Sequence, residues 1–173
     1  MNLSLKQLRQ SSFITRCKSI FKRHDVSPTS FELEITETTL MVDAKRTLKL
    51  LDELYAMGLH LSIDDFGTGY SSLSALQQFP ISTLKIDQSF VRDVPHDADD
   101  STIVRTIVDM GRTMDMEVIA EGVETREQFD FLRKHGCHYA QGHFFGEAIS
   151  ADDFLALMIA QEMGASGVSR LFA

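Results

Sequence analysis

The chain has 173 residues, 43% apolar and 24% charged, a balance that excludes wholesale disorder and gives a single domain a sizeable core. Seventeen Lys and Arg against 25 Asp and Glu leave a net charge of −8, which excludes broad binding to a nucleic-acid polymer, a task that needs a basic face. There is no apolar run of about 18 residues to span a membrane, and Met1–Gln10 lacks the apolar core of a signal peptide. Cys17 and Cys137 stand far apart with no CxxC spacing, so they are expected to be buried, reduced thiols in a cytoplasmic protein.

In chain order, a helix is expected at Gln7–His24, then a strand at Phe31–Thr36 and a helix at Thr39–Tyr55. Along that second helix Leu48, Leu51, Leu54 and Tyr55 recur on one face. Strand Leu59–Ile63 follows, then helix Ser71–Gln78, strand Thr83–Ile86, helix Thr102–Thr113 and strand Glu117–Ala120. Helix Arg126–Lys134, a short strand at His138–Gln141 and helix Asp152–Met163 complete the series. Gly58 and Gly136 stand where helices stop, and Thr125-Arg-Glu-Gln128 has capping-box spacing. Asp97, Asp99 and Asp100 read as a solvated helix entry. Met41, Met57, Met110, Met114, Met116 and Met158 read as fillers of core or interface gaps.

Strands alternating with helices specify an α/β fold with a parallel sheet and helices outside it. Polar residues gather where the strands end: Asp64 and Asp65 close one, Asp87 follows another, Glu121 and Glu124 end a third, and Gln141 the last. Glu34 and Lys85 lie inside apolar runs, where a lone charge is expensive. The C-terminal ends of parallel strands converge on the active-site face of a barrel. Carboxylates crowded there repel one another, and hard divalent cations with oxygen ligands resolve that repulsion. The intervals from Glu34 through Asp64, Lys85 and Glu121 to Gln141 average roughly 27 residues, so 173 residues hold about six such units: either the sheet is open, or part of an eight-unit barrel is absent.

The segments Glu34-Ile-Thr-Glu37, Asp64-Asp-Phe-Gly-Thr-Gly69-Tyr-Ser-Ser72, Leu84-Lys-Ile-Asp87, Ala120-Glu-Gly-Val-Glu124 and Gln141-Gly142 together resemble the EAL domain. Asn2-Leu-Ser4 with Gln7-Leu8 is similar to that family's asparagine-bearing segment. The resemblance runs from residue 2 to about residue 158. It implies a TIM-like (β/α) barrel, incomplete here, and a phosphodiesterase that linearises cyclic di-GMP to pGpG in bacterial signalling.

The resemblance also implies roles at matching positions. Asn2, Glu34, Asp64 and Asp65 are expected to hold two Mg²⁺ or Mn²⁺ ions, Asp64 bridging them. Lys85 is expected beside the attacking water, a base once dications lower its pKa and a protonated ammonium among carboxylates alone. Glu121 and Gln141 are expected to hold the metals and that water through hydrogen bonds. Glu124 is expected to contact a guanine edge, and Asp87 to orient Lys85. Glu37 is expected to pin the loop 66–72, whose Ser71 and Ser72 cap the next helix. Gly67-x-Gly69-x-x-Ser72 falls short of a full phosphate-cradling pattern.

Departures shape the remaining expectations. The Glu-Ala-Leu motif is absent, so the chain is expected to be one truncated domain, residues 1–173, lacking the first two strands and one metal-binding glutamate. Its exposed sheet edges are expected to drive a homodimer or higher oligomer. A sensor or diguanylate cyclase domain is expected in the parent protein. His143 and Ala148 depart mildly from the family's usual residues. Two other readings stand beside this one: a catalytically inactive regulatory or interaction module, and, far behind, a Schiff-base aldolase using Lys85. His138 and His143 are expected to be structural.

Overall fold

The computed structural model describes residues 1–69 and 73–162. Five parallel strands form one sheet in sequential order: β1 (Glu32–Thr36), β2 (His60–Phe66), β3 (Thr83–Ile86), β4 (Glu117–Ala120) and β5 (Tyr139–Ala140). The helices are α1 (Leu5–Leu8), α2 (Phe13–His24), α3 (Glu37–Met41), α4 (Ala44–Ala56), α5 (Leu73–Leu76), α6 (Gln88–Val91), α7 (Ala98–Thr113), α8 (Arg126–Lys134) and α9 (Ala151–Glu162). The sheet has five strands rather than six units, but Asn2 adds a parallel bridge to Glu34 outside β1. Two hydrogen bonds hold that bridge: Leu3 N–H donates to the Glu34 carbonyl (2.8 Å), and Glu34 N–H to the Met1 carbonyl (2.9 Å).

Strand alternation separates two faces. Leu33, Ile35, Leu61, Ile63, Leu84, Ile86, Val118 and Ala120 are buried on the helix-covered side. The other side carries Glu34, Ser62, Asp64, Thr83 and Lys85, in a register that pairs Glu34 with Ser62 and Ser62 with Thr83. The apolar alternation therefore aims the polar set at one surface while the opposite face anchors the sheet.

Two expected long helices are each broken. Gln7–His24 divides into α1 and α2: α1 ends at its C-cap Arg9, and Ser12 precedes α2 without a side-chain cap. Ser4 and Gln7 close a capping box that starts α1 two residues early. Thr39–Tyr55 divides into α3 and α4 at Asp43, which adopts a left-handed φ of 59°. Leu51 and Leu54 are buried as expected, whereas Tyr55 is exposed rather than on the packed face.

Other boundaries follow their local signals. The Thr125–Gln128 capping box forms, and Asp97 caps α7 by accepting from Asp99 and Asp100 N–H (2.9 Å each). Gly58 and Gly136 end their helices at φ 94° and 78°. The expected starts Ser71 and Ser72 and the expected end Met163 lie outside the described residues. Met116 is buried, and Met41, Met57, Met110 and Met114 pack against the core, whereas Met158 is exposed. His138 is structural: its Nδ1 accepts the Val118 N–H at 3.0 Å, standing in for a strand carbonyl. Cys17 and Cys137 are free but only half-buried, Cys17 within α2 and Cys137 in the link between α8 and β5.

Candidate functional site

At the C-terminal ends of β1–β4 one lysine draws three carboxylates together. Lys85 Nζ lies 2.6 Å from Glu121 Oε1, 3.0 Å from Glu34 Oε1 and 3.3 Å from Asp64 Oδ1. Its side chain is only 7% exposed, so these pairs act in a medium of reduced dielectric. Burial pulls the ammonium down, but the hydrogen bonds to Glu121 and Glu34 and the charges of Glu121 and Asp64 outweigh it. Lys85 therefore stands above the ordinary lysine value. Without bound cations it is a locked ammonium, as expected for a lysine among carboxylates.

Asp64 and Asp65 occupy a bulge. The β2–β3 register shifts between Ile63 and Phe66, and Asp65 takes a left-handed φ of 54°. β2 thus continues to Phe66, three residues beyond the expected end, carrying both aspartates within the strand. Asp64 Oδ1 is buried and accepts no hydrogen bond, its one close cation being the imperfectly aligned Lys85. The Asp65 carboxyl is raised by burial, by the charges of Asp64 and Asp87, and by a hydrogen bond shared with Asp87. Such crowding at oxygen donors is the environment a hard dication relieves, so the donor chemistry of Asn2, Glu34, Asp64 and Asp65 fits Mg²⁺ or Mn²⁺. Among the described residues, no three acidic or imidazole groups stand ready around one point; the carboxylates are engaged with Lys85 instead.

The bridge places Asn2 beside Glu34 on the same surface, with its side chain exposed. The N-terminal ammonium is 4.0 Å from Glu34 Oε2. Among the described residues Asp87 forms no ion pair with Lys85. It caps α6, accepting the Ser89 N–H at 2.8 Å, because a helix start leaves unpaired N–H groups that a preceding aspartate satisfies. The Gln141 side chain is exposed; its backbone is fixed by N–H donation to Ala120 O (2.8 Å) and acceptance from Val123 N–H (3.0 Å). Glu124 is also exposed and lies outside the Lys85 cluster.

Glu37, 3% exposed, reaches the loop after β2: its Oε2 accepts the N–H groups of Gly67 and Gly69, each at 3.2 Å. A Cβ on Gly69 would stand 2.9 Å from the Glu37 carboxyl, so only glycine lets the loop press so close. Both amides that a phosphate-cradling turn would offer are thereby taken.

Two positioning groups escaped the sequence reading. Gln128 is buried; its Oε1 accepts from Glu124 N–H (2.7 Å) and Thr125 N–H (2.9 Å), and its Nε2 donates to Arg92 O (2.8 Å). The capping-box spacing was its visible signal, but the tie to Arg92 had none. Helix α6, four residues long, was too short for a periodic pattern.

The family model described as EAL domain matches residues 1–148. The chain belongs to the EAL family. It is 44% identical over 156 residues to the bifunctional diguanylate cyclase/cyclic di-GMP phosphodiesterase MucR of Pseudomonas aeruginosa, covering 90% of this chain and 23% of that protein. A solved MucR phosphodiesterase in complex with cyclic di-GMP superposes with a TM-score of 0.85 at 44% identity, over 88% of this chain and 62% of that one. BlrP1 of Klebsiella pneumoniae, solved with manganese and cyclic di-GMP, superposes with a TM-score of 0.78 at 30% identity, over 85% of this chain and 38% of that one. The α/β class expected from the strand–helix alternation and the TIM-like barrel implied by the EAL resemblance therefore hold, and the chain spans about a fifth of the curated relatives' length. No helix among the described residues is long and apolar enough to cross a membrane.

Proposed function

We propose that this EAL chain is a metal-dependent phosphodiesterase domain that opens cyclic di-GMP to linear pGpG. The observation that carries it is the Lys85 cluster of three carboxylates, one of which, Asp64, has its Oδ1 buried without a hydrogen bond. Asn2, Glu34, Asp64 and Asp65 would hold two Mg²⁺ or Mn²⁺ ions. Bound there, the pair supplies Lewis acidity to a water and to a phosphodiester oxygen.

The chain's own residues do the rest. Lys85 holds a site between Glu34 and Glu121 within reach of a water. As those carboxylates turn to cations, Lys85 loses its counter-charges and its pKa falls toward that of a base. Hydrolysis joins the water oxygen to phosphorus and breaks one P–O ester bond; the water's proton leaves through Lys85 and reaches the departing sugar oxygen. Glu121 and Gln141 orient the water, Glu124 meets a guanine edge, Glu37 steadies the loop after β2, and Asp87 acts on Asp65 rather than on Lys85. A diguanylate cyclase or sensor domain in the parent protein, and a cytoplasmic setting in keeping with two free thiols, complete the proposal.

The test is hydrolysis of cyclic di-GMP with Mg²⁺ or Mn²⁺. Asp64→Asn is expected to abolish turnover and the stabilisation by Mn²⁺ while leaving the metal-free fold intact; unchanged activity refutes the roles assigned here. The engagement of all three carboxylates with Lys85 favours one rival, an inactive regulatory module. Calorimetry separates the two: the enzyme takes up manganese and the module does not.

A further inference from the structure

Charge is divided along the chain. Residues 1–49 carry nine Lys and Arg against five Asp and Glu, a net +4, and residues 50–173 carry eight against twenty, a net −12. Among the described residues none of those nine side-chain cations forms an ion pair, whereas Lys85, Arg92, Arg112, Arg126 and Arg133 all do. Three of the unpaired cations, Lys18 on α2 and Arg46 and Lys49 on α4, rim a groove of about 370 Å³ between those helices. Leu8, Ile14 and Leu50 give the groove its apolar lining, interleaved with Gln10, Ser11 and Thr15, and Glu53 is the acidic group beside them.

The same chain presents the complementary surface. On α9, Phe154, Leu155, Met158 and Ile159 recur at i, i+1, i+4 and i+5, forming one apolar stripe, and each is 46–56% exposed. A monomer rarely leaves so continuous an apolar face in water. Asp152, three residues before Leu155, puts a negative charge at the N-terminal end of that stripe. Asp153 is turned away, its carboxylate bonded to Ser150 Oγ at 2.6 Å. At 1.5 Å per residue α9 is about 18 Å long, matching α4, which is one residue longer.

We propose that the α2–α4 groove docks α9 of a second copy of this chain, its apolar stripe on Leu8, Ile14 and Leu50 and its Asp152 end among Lys18, Arg46 and Lys49. The contact is heterologous: each copy offers one groove and one helix. It is separate from pairing at the sheet edges. A long polyanion or a membrane plane is a poorer occupant. The cations line a concavity rather than a flat face, and the strongly acidic remainder of the surface repels an extended negative partner.

The test is mass in solution. Wild-type protein is expected to exceed its monomer mass of 19.5 kDa at high concentration, to return to it on dilution, and to associate less as salt rises. The groove variant Lys18→Glu/Lys49→Glu and the helix variant Leu155→Ser/Ile159→Ser are each expected to remain monomeric with wild-type circular dichroism. Mixed in equal amounts they are expected to pair one to one, because one keeps the helix and the other the groove. A wild type that stays monomeric, a variant that associates like wild type, or a mixture that stays monomeric overturns the proposal. Should a variant fail to fold, carbodiimide cross-linking of mixed isotope-labelled and unlabelled wild type decides it: Lys18 or Lys49 joined to Asp152 across copies supports the contact, and linkage elsewhere only refutes it.

Discussion

Replacing Lys85 by methionine isolates the energetics of the site. The substitution keeps the length and apolar stem of the side chain and removes the charge that Glu34, Asp64 and Glu121 share. Breaking a fully buried ion pair costs about 3–5 kcal/mol, because the remaining charge is left uncompensated. Here the three carboxylates retain 13–23% exposure, and water screens them in part. The expected cost at about pH 8 is therefore roughly 2–3 kcal/mol, a fall in Tm of about 5–10 °C for a domain of this size. The sign with pH is fixed by which groups titrate. In the wild type the raised Lys85 pKa contributes stability that is present below the ordinary lysine value and lost as pH climbs past it. In the variant the three carboxylates face one another with no counter-charge, so the destabilisation shrinks as pH falls and their mutual repulsion is relieved. Urea melts of both proteins at about pH 8 and about pH 5.5, without divalent metal, measure this. Manganese is expected to restore part of the variant's loss at the higher pH, since ligand binding to the native state stabilises by mass action. A variant within about 0.5 kcal/mol of wild type, or a loss that does not depend on pH, refutes the claim that Lys85 holds these carboxylates together.

Glu37→Ala removes the acceptor of two loop amides in a buried setting and is expected to cost about 2–4 kcal/mol; hydrogen exchange at Gly67 and Gly69 should accelerate together. Gln128→Ala strands the N–H groups of Glu124 and Thr125 and the Arg92 carbonyl, and is expected to cost about 2–4 kcal/mol in a thermal melt, far more than an exposed cap residue. Burial raises the Cys137 thiol from 9.0 to about 11, partly opposed by backbone hydrogen bonds. Its contribution is therefore whole below pH 9 and lost as pH rises towards about 11. The stability difference between wild type and Cys137→Ala should shift by up to about 2.7 kcal/mol across that window, and a flat difference curve contradicts the burial argument.

Much of the scaffold was legible because it is written in short-range patterns. β3, β4 and α8 appear with the expected boundaries, since apolar runs and a capping box act within a few residues. The two broken helices were read as continuous because their apolar periodicity persists across the short link 9–12 and across Asp43, whose left-handed backbone interrupts the second. α6 was missed because four residues carry no period. Within the site, the gathering of Glu34, Asp64, Lys85 and Glu121 was foreseeable from strand ends in a parallel sheet. The turning of Asp87 to α6 and the reach of Gln128 to Arg92 were not, for each depends on a partner more than a helical turn away or on a competing cap.

From the residues alone came the alternation of parallel strands and helices, the acidic character of the strand ends and the membership in the EAL family, because hydrophobic period and motif spacing are properties of the chain itself. The three-dimensional structure decided which carboxylates Lys85 holds, that Asp64 and Asp65 sit on a bulge, and that Glu37 occupies the loop amides. Those outcomes depend on register and on a shift between Ile63 and Phe66, which arise only when separate strands meet, and a shift of one residue in a strand sends a side chain to the opposite face.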